Sequence, residues 1–126
     1  MIYENFDFLY KLINMGALIQ MNAGSLLGHF GNPVRKIAHT MLKKELVHVV
    51  ASDAHNSGSR RFLMKDAFEL CSQEFPEAFV NEIFHINPTK ILKNDDIEPR
   101  IVERSESSRS IKEKIYNFLK FNSWMY

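Results

Sequence analysis

The sequence predicts an α/β fold, and three observations carry that prediction. Residues 47–51, Val47-His48-Val49-Val50-Ala51, are short, β-branched and apolar on both faces, the pattern of a strand covered on both sides in a parallel sheet. A second short apolar run, 17–22, follows Gly16. Between them the hydrophobic residues recur at helical spacing, so strand, helix and strand form one βαβ unit, expected to be right-handed. The length of 126 residues suits a single domain, whose typical range is roughly 100–150 residues.

Each element has its own signal. Phe6, Leu9, Tyr10 and Ile13 follow the i, i+3, i+4, i+7 rule, with Asn5 as a candidate N-cap, Asp7 in the first turn and Gly16 as the stop. After the strand at 17–22, Ala23-Gly24-Ser25 and Gly28-His29-Phe30-Gly31 predict a glycine-punctuated loop. Asn32-Pro33 opens a helix over 33–44 that buries Val34, Ile37, Ala38, Met41 and Leu42, with Lys43 and Lys44 suited to its C-terminal dipole. The strand at 47–51 leads into a polar loop, 52–61. A helix over 63–75 points Met64, Ala67, Phe68, Cys71 and Phe75 inward, Pro76 starts a fourth helix and Asn87-Pro88 a fifth. Farther on, Ser110 and Glu113 have capping-box spacing ahead of Ile111, Ile115, Phe118 and Leu119.

Charge divides the chain. Residues 1–99 hold 10 Lys and Arg against 12 Asp and Glu, and residues 100–126 hold 6 against 3. The break at Asn94-Asp95-Asp96-Ile97-Glu98-Pro99 reads as a linker, giving a packed part, 1–94, and a linker with a basic amphipathic tail, 95–126. A formal net charge of +1 argues against a dedicated duplex-DNA binder, which needs clustered excess positive charge. The single cysteine excludes an intrachain disulfide framework and a Cys-rich zinc module. No apolar run approaches the ~20 residues of a membrane helix, and the first residues lack the basic start and apolar stretch of a signal peptide, so a cytoplasmic location is the expectation.

The chemistry is expected at the carboxyl end of the second strand, where ligands bind in α/β sheets. Ser52-Asp53-Ala54-His55-Asn56 occupies that place, followed by Arg60-Arg61. Residues two apart in extended chain point the same way, so the Asp53 carboxylate and the His55 imidazole can converge on one cation such as Mn, Fe or Zn. The residue types alone leave a second reading open, in which Asp53 caps a turn and His55 is an ordinary loop residue.

The wider pattern favours the first reading. Asn22-Ala23-Gly24-Ser25, Gly28-His29-Phe30-Gly31 and Val47 to Asn56, followed by Arg60, resemble in order and separation the C-terminal part of the bacterial manganese-dependent protein-tyrosine phosphatases. These enzymes belong to the polymerase-and-histidinol-phosphatase (PHP) superfamily and accompany capsule and exopolysaccharide synthesis. The resemblance runs from about Tyr3 to Leu92. It implies the C-terminal part of a distorted (β/α)7 TIM-like PHP barrel, parallel strands with outer helices. It implies Asp53 and His55 as metal ligands, Arg60 as the catalytic arginine facing the substrate phosphate, and Asn56 beside the metals. His29 is not implied as a ligand. His48 is expected in the core, and His39 and His85 as partly exposed bystanders.

The activity implied is metal-assisted hydrolysis of a phosphomonoester, with a manganese or other divalent multi-metal cluster. The substrate implied is a phosphotyrosine protein, such as a bacterial tyrosine kinase of polysaccharide export. The family's His-x-His start and its further Glu, His and Arg positions have no counterpart here, so the missing N-terminal part of the barrel is itself an expected partner and the chain alone is expected to be inactive. A thiol phosphatase is excluded, because its cysteine needs an arginine six residues on and Cys71 has Glu77 there. Two other readings stay open. The chain is a non-catalytic docking module, its tail residues Lys112, Lys114, Phe118, Lys120, Phe121 and Trp124 touching a membrane surface. Alternatively, it is a PHP phosphoesterase acting on histidinol phosphate or a nucleic-acid end.

Overall fold

A computed structural model of the chain describes residues 6–54 and 63–100. Asn5, His55, Asn56, Arg60 and the tail helix expected after Ser110 lie outside the described residues. The order is α1 (Asp7–Asn14), β1 (Gln20–Asn22), α2 (Ala23–Leu26), α3 (Asn32–Lys43), β2 (Val49–Ala51), α4 (Met64–Glu74), α5 (Glu77–Asn81), a π-helical turn (Glu82–Ile86) and α6 (Asn87–Lys93). The two strands pair in parallel, with Gln20 opposite Val49, Met21 opposite Val50 and Asn22 opposite Ala51. A parallel pair needs a crossover, and α3 supplies it. The expected strand–helix–strand unit is present.

The strands are shorter than the expected 17–22 and 47–51 because a side chain interrupts the ladder at its start. The His48 Nδ1 accepts the Ile19 N–H at 3.1 Å, while the His48 and Val49 amides both approach the Ile19 carbonyl, at 2.9 and 3.3 Å. Both strands are covered by one core. Met21, Ala23, Leu26, Ala38, Leu42, Val47, Val50, Leu63, Ala67, Cys71, Phe79, Val80, Ile83 and Phe84 form a single buried cluster. Of the inward residues expected on α4, Phe68 is the exception: it is exposed and sets its ring edge-on to Phe84, 5.5 Å between centroids.

Two helix ends share one stop. Gly16, at φ 99°, donates to the Ile13 carbonyl while Ala17 donates to Leu12, which closes α1 in a Schellman motif at the predicted glycine. The same pair of bonds closes α3, Glu45 to Leu42 and Leu46 to Met41, but here a glutamate holds the left-handed position at φ 53°. The segment expected as loop after β1 contains a short helix, α2. Asn22 caps it, its Oδ1 accepting the Gly24 N–H at 2.8 Å.

The helices expected at Pro76 and Asn87-Pro88 are both present, as α5 and α6, and a π turn that the sequence did not predict joins them. Pro76 does precede α5, yet α5 continues through the π turn into α6 without leaving helical angles, and Ile86 and Asn87 are both right-handed. The physical reason lies in Pro88. Inside a helix, proline lacks the N–H for the i−4 carbonyl and its ring crowds that carbonyl. A π turn just before it changes the bonding step from four residues to five, so the chain passes the proline without stopping. The wider turn packs on β2, and Asn87, nearly fully buried, donates through Nδ2 to the His48 carbonyl at 2.9 Å.

Candidate functional site

The carboxyl ends of β1 and β2 lie side by side, and each delivers one polar side chain. Asn22 is the last residue of β1, and Asp53 follows β2 by two residues. Asn22 Nδ2 donates to Asp53 Oδ2 at 3.0 Å, which ties the two strand ends together. Asp53 stands in the left-handed region at φ 48°, a conformation that aspartate tolerates better than most residues. Around it the Ala54 N–H is directed at Ser52 Oγ, 3.4 Å away. Asp53 is exposed, and it lies where the sequence placed it.

Gly24 explains why the loop after β1 reads as it does. A Cβ on it would come within 3.1 Å of both Asn22 Oδ1 and the Phe30 ring. Glycine therefore lets the Asn22 amide and the Phe30 ring close over the first turn of α2. Phe30 remains about half exposed on the rim, and His29 beside it is exposed.

A second polar cluster sits at the opposite ends of the strands. Fully buried His48 anchors it. Its Nδ1 accepts the Ile19 N–H at 3.1 Å, and the Arg100 amide N–H faces its Nε2 at 3.4 Å. Burial first, and the Arg100 guanidinium second, hold the His48 imidazole below its usual value of 6.5, against the opposing pull of Glu82 and the Leu46 backbone. Arg100 reaches this place from the segment read as linker. Its Nη1 donates to the carbonyls of Glu45 and Val47, both at 2.8 Å, its Nη2 pairs with Glu82 Oε1 at 2.7 Å, and its guanidinium lies 4.9 Å from the centre of the Phe79 ring. Nothing in the charge pattern singled out Arg100. Its counterpart signals, a carboxylate on the π turn and two carbonyls between α3 and β2, exist only in three dimensions.

The other histidines differ in the company they keep. His39, expected as a bystander, bridges α3 to α4 by pairing with Glu74 at 3.1 Å. His85 is exposed and stacks edge-on to Phe68, 5.4 Å between centroids. It lines a groove of about 410 Å³ with Phe68, Ser72, Glu77, Val80 and Asn81, none of them at the strand ends. Cys71 is buried among apolar residues, and desolvation, with Glu74 adding to it, pushes its thiol up to about 11. This matches the exclusion of a thiol nucleophile.

A divalent cation fits the donor chemistry at one position. Asp53 offers a hard carboxylate oxygen at an accessible strand end, oriented by a neutral amide, as ligating carboxylates commonly are. Among the described residues no three His, Cys, Asp or Glu side chains gather into a metal-holding group.

Comparison with known proteins identifies relatives of this chain. Residues 1–93 match the family model for capsular polysaccharide synthesis, CpsB/CapC. CapC of Staphylococcus aureus is 49% identical over 102 residues, which are 79% of this chain and 39% of CapC. The tyrosine-protein phosphatase YwqE of Bacillus subtilis is 39% identical over 74 residues, 59% of this chain and 29% of YwqE. Among solved structures, that of the metal-dependent tyrosine phosphatases YwqE from Bacillus subtilis and CpsB from Streptococcus pneumoniae superposes with a TM-score of 0.74 at 31% identity, covering 83% of this chain and 42% of the other. The chain thus spans less than half the length of the relatives it matches. Because the family model matches residues 1–93, most of the chain, the chain belongs to the CpsB/CapC family of capsular polysaccharide synthesis.

Proposed function

We propose that this chain forms the C-terminal part of a PHP-type barrel that hydrolyses phosphotyrosine on a protein of capsule or exopolysaccharide synthesis, such as a tyrosine kinase of polysaccharide export, in the cytoplasm. The observation that carries the reading is Asp53 at the carboxyl end of β2, gripped from the end of β1. The relatives support the activity class, since YwqE and CpsB are named as tyrosine-protein phosphatases. The solved relatives are described as metal-dependent, which supports a divalent cation, and we assign manganese.

In this reading Asp53 and His55 would hold the cation, and Asn56 would support it. When bound, the metal supplies charge that acidifies a water and neutralises phosphoryl oxygens. Arg60 then grips the phosphate oxygens with a planar fork, which fixes the phosphorus in line with its attacker. The leaving phenolate has a conjugate acid near ~10, so it departs with less proton help than an alkoxide requires. Remaining ligands come from the part of the barrel that these 126 residues do not supply.

The test pairs metal analysis with kinetics. The purified chain, given p-nitrophenyl phosphate and manganese, should turn over little or nothing. Supplied with the N-terminal part of a family barrel, it should gain activity. In that complex Asp53→Ala and His55→Ala should lose both metal and turnover, whereas Arg60→Ala should keep its metal and lose kcat/KM. An Asp53→Ala protein with full metal and full turnover refutes the assignment.

A further inference from the structure

Asn22 does more than cap a helix. Its Oδ1 accepts the Gly24 N–H at 2.8 Å, and that bond decides which end of the amide is oxygen. The other end, Nδ2, therefore faces Asp53 and donates to Oδ2 at 3.0 Å. Capping alone does not account for asparagine here. Serine, threonine and aspartate cap a helix about as well. Only asparagine can accept at the cap and donate to a carboxylate at the same time. A serine or threonine hydroxyl is too short to serve both partners, and an aspartate would set a second negative charge against Asp53. The neighbouring sequence protects the arrangement. Any side chain at position 24 would press on the Asn22 Oδ1, 3.1 Å from a Cβ built there, and the register places Asn22 opposite Ala51, two residues before Asp53.

We infer that Asn22 is a positioning residue of the metal site: held rigid by its own helix cap, it aims the Asp53 carboxylate at a divalent cation. The donor is neutral, so this contact fixes the carboxylate's direction without cancelling its charge. The inference rests on the reading of the Asp53 loop as part of a metal site. Outer partners of this kind typically change metal affinity about 10- to 100-fold when removed.

The experiment uses the whole 126-residue chain, labelled with nitrogen-15 and titrated with manganese(II) chloride, whose paramagnetism broadens nearby amide resonances. In the wild type, broadening should centre on Asp53 and Ala54. Asn22→Ser, which retains a cap oxygen but loses the donor, should need at least about tenfold more manganese for the same broadening, with its amide spectrum otherwise preserved. A metal-free readout accompanies it: the Asn22 side-chain NH2 resonances should shift in Asp53→Ala. If Asn22→Ser fails to fold, Asn22→Thr takes its place, and the NH2 readout needs neither. Broadening at unchanged manganese concentration in the serine variant, or NH2 resonances indifferent to Asp53→Ala, would overturn the inference while leaving the metal reading intact. A wild type that shows no localised broadening at Asp53 even when the N-terminal part of a family barrel is supplied would instead remove the metal reading of the loop, and the inference with it.

Discussion

Arg100→Ala should be the most destabilising single change outside the apolar core. The guanidinium makes three hydrogen bonds of 2.7 to 2.8 Å, two to backbone carbonyls and one to the Glu82 carboxylate, and it lies 4.9 Å from the centre of the Phe79 ring. Its side chain is about four-fifths covered and that of Glu82 about two-thirds. Hydrogen bonds with a charged partner contribute about 1.5–3 kcal/mol each in isolation, but these three share one group, and water can reach the vacated carbonyls in part. The ring contact adds about 0.5–1 kcal/mol. A net loss of about 2–3 kcal/mol follows. For a domain of this size that corresponds to a fall in Tm of roughly 6–15 °C. Arg100→Lys should recover less than half, because an ammonium cannot reach two carbonyls and a carboxylate in one plane. The comparison pair is Lys65–Glu69, an exposed i, i+4 pair at 3.8 Å, where Lys65→Ala should cost about 0.5 kcal/mol or less.

Guanidinium chloride denaturation followed by circular dichroism measures the difference. The midpoint should fall while the slope stays constant, since the surface exposed on unfolding hardly changes. A cycle with Glu82→Ala should return a coupling of about 1 kcal/mol or more. An Arg100→Ala midpoint that yields a loss below about 0.5 kcal/mol would refute the claim that residues 95–100 belong to the folded unit.

Three further outcomes follow from the same coordinates. His48 has its folded value depressed, so the unfolded chain binds the proton first: stability should be full above the unfolded value of 6.5 and decline as pH falls below it, and His48→Gln should flatten that part of a pH-resolved denaturation series. Glu45→Gly should raise stability by about 0.5–1 kcal/mol, read as a higher denaturation midpoint, because glycine occupies φ 53° without Cβ strain while the Arg100 bond to the Glu45 carbonyl is a backbone bond and survives. Cys71, with its thiol pushed up to about 11, should react with a disulfide reagent at pH 8 far more slowly in the native chain than in denaturant, and comparable rates would contradict its burial.

The strand–helix–strand unit was legible because its signals are local. Val47 to Ala51 are β-branched, the α3 stripe repeats at helical spacing, and Gly16 can stop α1 without strain, so each stretch states its own preference. Asp53 was legible for a related reason, since a carboxylate just past a buried strand falls at the end where such sheets bind ligands. What stayed hidden depends on distant partners. Asn87-Pro88 reads as a helix start by local rule and does open α6, but the π turn that joins it to α5 packs on β2 and has no local signal. Glu45 gives no hint of a left-handed angle, because glutamate enters that region only when a helix stop and a buried strand on either side demand it. Asn22 stood in a motif whose glycines suggested a loop, and its partner lies 31 positions away.

The two polar clusters divide the work between the two ends of one strand pair. At the amino ends, His48, Asn87, Glu82 and Arg100 satisfy groups that burial would otherwise leave unpaired: the Ile19 amide and the carbonyls of Glu45, Val47 and His48. An unpaired buried group costs about 1–3 kcal/mol, so these side chains fix where β2 begins. Three ladder residues later, that position decides where β2 ends and therefore where Asp53 emerges. A strand has a side-chain period of two, so a slip of one residue at the His48 end would turn Val49, Val50 and Ala51 inside out and carry Asp53 away from Asn22. The amino-end cluster thus acts as a register lock, and the Asn22–Asp53 bond at the carboxyl end is the feature that the lock preserves. For that reason, loss of Arg100 should be felt first as lost stability, and at the strand ends only where register itself is loosened.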